Sequence, residues 1–71
     1  MDALGAVRWM MKQEQVNGVE LSERLGKSKG CVSMMLYKNK DIKAGTLARI
    51  AAVLGYEVVL KRGPVELHIT G

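Results

Sequence analysis

The stretch Asn17 to Tyr37, NGVELSERLGKSKGCVSMMLY, constrains this chain more than any other. Leu21 and Leu25, four residues apart, fall on one face of a first short helix. Cys31, Val32 and Met35, with Leu36 beside them, give a second helix an inward face at 3.6-residue spacing. Between the two lies Leu25-Gly26-Lys27-Ser28. Gly26 stands where a chain leaving a helix takes a left-handed residue, a conformation that is free for glycine and costs other residues about 1 kcal/mol or more. Ser28 is placed to cap the next helix, its hydroxyl accepting from an otherwise orphaned amide. Helices are therefore expected over about 19–25 and 28–37.

The flanking segments read as support. From Asp2 to about Gln15, a helix places Ala3, Leu4, Val7, Met10 and Met11 on one apolar arc, with Arg8, Lys12 and Gln15 outside it. Asp2 suits that helix's N-terminal dipole. Trp9 falls off the arc, so a C-terminal element or a partner subunit covers it, or it stays exposed. Asn17-Gly18 breaks the helix and offers a cap for the next, with Glu20 at capping-box spacing. That helix start is either a phosphate site or an ordinary cap. Lys38-Asn39-Lys40-Asp41-Ile42-Lys43 is a polar connection with Ile42 as its apolar peg, followed by a helix over about 45–54 that buries Leu47, Ile50, Ala51 and Leu54. After Gly55 the period changes to two. Tyr56, Val58 and Leu60 alternate with Glu57, Val59 and Lys61, and Val65, Leu67 and Ile69 alternate with Glu66, His68 and Thr70 across Arg62-Gly63-Pro64. This is a hairpin. The fold class expected is mainly α: four helices over residues 1–55 and a C-terminal β-hairpin over 56–71, in one compact domain.

Two helices joined by a short glycine turn form a helix-turn-helix, whose second member can enter a DNA major groove. At Leu21, Leu25-Gly26, Ser28-Lys29, Val32 and Thr46-Leu47-Ala48-Arg49-Ile50-Ala51, the chain resembles the helix-turn-helix family of the phage lambda repressor and Cro proteins and their bacterial xenobiotic-response-element-like relatives. The resemblance covers roughly Leu4 to Gly55. Two positions depart from the family: Ser22 stands where alanine is usual, a change of similar volume, and Gly18 where many members carry a DNA-contacting glutamine. The resemblance implies a lambda-repressor-like fold and binding to double-stranded DNA.

The charge pattern agrees. Net charge is +4, yet between Arg24 and Lys43 the bases Arg24, Lys27, Lys29, Lys38, Lys40 and Lys43 face Asp41 alone. A basic patch on such an element is a phosphate surface. On the second helix of the motif, Ser28, Lys29, Gly30, Ser33 and Met34 are the candidates for base readout: lysine donates to guanine, serine pairs with several bases, and methionine meets a thymine methyl. Gly30 either allows close approach to DNA or is tolerated in the first turn. Asn17, Lys27, Tyr37, Lys38, Asn39, Lys40 and Lys43 are the phosphate candidates, Tyr37 alternatively packing on the following loop.

A two-stranded ribbon is marginal alone, so its apolar face, Val58, Leu60, Val65, Leu67 and Ile69, covers the helices or pairs with another chain. Cro dimerises through a C-terminal strand, so the resemblance implies a homodimer on a palindromic operator. Similar domains also occur in toxin–antitoxin pairs, which gives the alternative of an antitoxin whose hairpin binds a toxin-like partner protein. Nothing carries enzymatic chemistry: there is one histidine, one cysteine, no credibly spaced carboxylate pair and no glycine-rich phosphate loop. No cofactor or metal is expected, since Cys31 is alone and reads as a small buried filler, and His68 has no partner ligand. No apolar run approaches the eighteen or so residues of a membrane span, and no signal pattern opens the chain, so a cytoplasmic location is expected.

Overall fold

The computed structural model describes residues 1–71 as α1 (Ala3–Glu14), α2 (Gly18–Arg24), α3 (Cys31–Lys38) and α4 (Ala44–Val53), followed by β1 (Val58–Arg62) and β2 (Val65–Ile69). The expected architecture, mainly helical with a C-terminal antiparallel hairpin, is the one observed. Asp2 does more than complement a dipole: its Oδ1 accepts from the Gly5 amide at 2.6 Å and caps α1. The helix ends before the expected breaker. Gln15 turns left-handed at φ 55°, and the Val16 amide reaches back to the Met11 carbonyl at 2.9 Å. This conformation costs a non-glycine residue about 1 kcal/mol, and burial of Val16 immediately after the turn offsets it.

Asn17 caps α2, its Oδ1 accepting from the Glu20 amide at 2.8 Å. The reciprocal half of the box does not form, because the Glu20 carboxylate pairs with Arg24 at 3.1 Å. Gly26 takes the left-handed conformation expected of it, at φ 72°. The core where the helices meet is Val7, Met10, Val16, Leu21, Val32, Ile50, Ala51 and Leu54. Val16 belongs to it beyond the expected set, Ala48 is buried as well, and Leu47, expected to be buried, is only half-buried. Ile42 packs against the cluster as the expected peg.

In the hairpin, Val58 pairs with Ile69, Leu60 with Leu67 and Arg62 with Val65. Gly63 at φ 56° precedes Pro64, the sign pattern of a II′ turn, which matches the twist of the strands. Alternation puts Val58, Leu60, Val65, Leu67 and Ile69 on one face. That face is divided along its length. Val58 and Ile69, at the root beside α4, are half-buried, whereas Leu60, Val65 and Leu67 are 57%, 56% and 59% exposed. The ribbon therefore covers the helices only at its base and projects beyond them, in a molecule 39 Å long and about half as wide.

Trp9 packs edge-to-face on Tyr56, the residue leading into β1, with centroids 5.9 Å apart, and about half its surface stays open. The Tyr56 hydroxyl donates to Glu14 at 2.8 Å. α1 and the hairpin root are thus joined by a ring contact and a hydrogen bond. That bond, with lesser contributions from desolvation and the carboxylate's charge, raises the Tyr56 pKa above 10.0. Since the folded protein favours the protonated phenol, its contribution to stability is complete below pH 10.0 and lost as pH rises through the raised value. Urea unfolding of the original and of Tyr56→Phe between about pH 8 and pH 11 checks this: any advantage of the tyrosine form should shrink toward the alkaline end.

Candidate nucleic-acid interface

α3 is held against α2 by Ser22, a residue close to alanine in volume but not in hydrogen-bonding capacity. Ser22 is completely buried, and its hydroxyl makes two hydrogen bonds. It donates to the Gly18 carbonyl one turn back, at 2.7 Å, and accepts from the Val32 amide in the first turn of α3, at 3.0 Å. A hydroxyl has one proton to give and lone pairs to receive, so both roles are filled at once. Gly18 makes the approach possible: a Cβ there would lie 2.7 Å from Ser33 Oγ.

Ser28 is not the cap of α3. The helix begins at Cys31, and Ser28, Lys29 and Gly30 form the turn before it, closed by the Cys31 amide on the Ser28 carbonyl at 3.0 Å. The Cys31 amide, which a Ser28 side-chain cap would serve, is bonded instead to the Ser28 carbonyl, and the Val32 amide one residue on is taken by Ser22, ten residues back in sequence but adjacent in space. Gly30 stands at the cap position outside the helix interior, so the interior-glycine cost does not apply; open space surrounds it. Cys31 is half-buried rather than buried, facing a cleft of about 180 Å³ between α3 and α4.

Outward on α3 stand Ser33, Met34 and Tyr37, one helical stripe. Met34 is 51% exposed and Tyr37 86%, so the tyrosine does not pack on the following loop. Met35 and Leu36 turn inward as expected. Through Gly18, the capped start of α2 at Asn17 comes beside Ser33, bringing a phosphate candidate next to a base-readout candidate. Asn17 Oδ1 is already committed to Glu20, which leaves the side-chain amide as its free group.

Lys27, Lys29, Lys38, Asn39, Lys40 and Lys43 are all exposed, and none of the five lysines enters an ion pair. Arg24, by contrast, is matched by Glu20. Lys27 borders the cleft on the Cys31 and Met35 side of α3, opposite Thr46 and Arg49 of α4. It flanks the Ser33–Tyr37 stripe instead of extending it. Lys38 ends α3 and Asn39 caps it, while Lys43 stands at the start of α4 with no side-chain cap.

Two further residues were not legible as contributors. Arg49 projects from α4 across from Lys27, at a spacing that marks it only as outside the apolar face. Arg8 donates from Nη2 to the Leu36 carbonyl at 2.7 Å, tying α1 to the last turn of α3. Its position off the apolar arc was the one available signal. No group of histidine, cysteine or acidic side chains in the protein could hold a metal ion. No helix is long and apolar enough to cross a membrane. No family model, curated protein or solved structure matches the chain significantly.

The capping assignments are separable by mutation. Asn17→Ala should lower the unfolding free energy by about 1 kcal/mol, while Ser28→Ala should change it by less than about 0.5 kcal/mol. Equal losses in chemical denaturation would return the cap to Ser28.

Proposed function

We propose that the protein is a sequence-specific, double-stranded DNA-binding regulator of transcription. The observation that carries this reading is the exposed stripe Ser33, Met34 and Tyr37 on a short helix held rigidly against α2 and bordered by five lysines without acidic partners. A duplex supplies both complements, base edges in a groove wide enough for a helix and phosphates on either side. Ser33 and Met34, with Ser28, Lys29 and Gly30 in the preceding turn, face the bases. Asn17, Lys27, Tyr37, Lys38, Asn39, Lys40 and Lys43 position the backbone. Few of the readout side chains are long and polar, so DNA shape contributes to the choice of site.

Selection of binding sites from random duplexes tests the reading directly. On the selected site, Lys29→Ala should relax preference at one base pair by about 1 to 3 kcal/mol, whereas Lys40→Ala should weaken selected and random duplexes alike and flatten the salt dependence. Absence of binding to any duplex at low salt would remove the proposal.

The exposed outer hairpin, Leu60, Val65 and Leu67, supports assembly as a homodimer, with Val58 and Ile69 continuing the same face at the root. Isolated ribbons do not leave such a face in water without a use for it. The same exposure favours a second reading, an antitoxin-like protein whose hairpin receives an unlike, toxin-like chain and which represses its own promoter. Sedimentation separates them. A dimer that Leu67→Lys converts to monomer, with loss of the inverted symmetry in the selected sites, supports the first; a monomer unaffected by that change supports the second.

A further inference from the structure

We infer that Ser22 is the positioning residue of the interface: its hydroxyl fixes the first turn of α3 against α2 and so sets how strongly the protein distinguishes one duplex from another. The inference rests on the DNA reading above for its consequence, but on the geometry of this chain for its cause. α3 has eight residues, and no side chain at its own start caps it. Its cap position is a glycine, and Ser28 forms no side-chain hydrogen bond. The Val32 amide is instead satisfied from α2, by a hydroxyl with no exposure to water.

The same residue controls the turn. Its backbone carbonyl accepts from the Lys27 amide at 2.9 Å, just after Gly26, while its hydroxyl holds the Gly18 carbonyl at the other end of α2. Three hydrogen bonds therefore converge on Ser22 from the start of α2, the turn and the start of α3. Alanine in its place keeps the volume but leaves the Val32 amide without its partner, in a site that water does not reach. The first turn of α3 then loosens. Ser33 and Met34 lie in that turn or directly after it, so the side chains proposed to meet bases lose their fixed direction. The phosphate-facing lysines, Lys27, Lys38, Lys40 and Lys43, act through long flexible stems from segments on either side and adapt to phosphates regardless. Selectivity should fall where general affinity does not, a split that simple loss of stability does not produce.

The test uses the full chain and three forms: the original, Ser22→Ala and Ser22→Thr, which keeps a hydroxyl able to bond one turn back. Amide exchange by NMR and binding to selected and random duplexes are measured on each. In the original protein, Val32 should exchange at least about tenfold more slowly than Lys29 and Gly30, whose amides lie in the open turn. In Ser22→Ala, exchange at Val32 should accelerate selectively relative to α1, and the ratio of selected to random affinity should drop by about tenfold, the size of losing one base contact. Ser22→Thr should restore that ratio. Unchanged selectivity in a folded Ser22→Ala protein, or uniform acceleration of all amides, overturns the inference and leaves the DNA reading standing. Fast exchange at Val32 in the original protein overturns it even if the alanine form does not fold. Failure of the original protein to bind any duplex would instead overturn the DNA reading, and this consequence of it.

Discussion

Ten aliphatic side chains carry the interior of this protein, and none is aromatic. A core of that size holds the helices together through burial, which is non-directional. Directional contacts at the edges of the core supply what the packing lacks. Ser22 locks α2 to α3, Arg8 locks α1 to the last turn of α3, and Tyr56 locks the hairpin root to Glu14. Each is a hydrogen bond between elements distant in the chain. The Ser22 bond is fully buried and so is the one whose loss leaves a polar group without water.

This also explains which features were legible in the sequence. Whatever depends on near neighbours could be read: the apolar arc of α1, the Asn17 cap, the left-handed Gly26, the inward Val32 and the two-residue period of the hairpin all follow from spacing. Whatever depends on a partner far along the chain could not. A serine followed three residues later by an inward-facing helix looks like a local cap, and nothing near Ser28 reveals that the helix starts only at Cys31, with the Val32 amide held from α2 by Ser22. Gln15 is a similar case: no local rule selects glutamine for a left-handed turn, and only the burial of Val16 next to it gives the reason.

The candidate interface divides in the same way. The exposure of its candidates was largely readable, because exposure and charge follow from helical phase and composition, and Met34, Tyr37 and the lysines stand on the surface where phase puts them. Its geometry was not. Ser28, Lys29 and Gly30 belong to a turn and not to the helix, so their side chains project from a backbone with a different course. Lys27 lies to one side, by Arg49. The exposed stripe of α3 is accordingly short, starting at its first turn and ending at Tyr37, with the basic residues distributed around it on three separate segments.

α1 has a role that its own composition does not suggest. Arg8 and Trp9 are consecutive, about 100° apart around the helix, and they reach opposite dependents: Arg8 the C-terminal turn of α3, Trp9 the aromatic ring at the hairpin root. The candidate interface and the projecting ribbon therefore refer to the same two residues of one helix. On the proposed reading, a second copy joined at the ribbon would present its own α3 at a separation determined by this pair of contacts, and a palindromic site has a fixed spacing between its halves. A flexible linkage would give two independent DNA-binding units tolerant of variable spacing. A capped, twelve-residue helix in contact with both the last turn of α3 and the hairpin root favours one spacing over many.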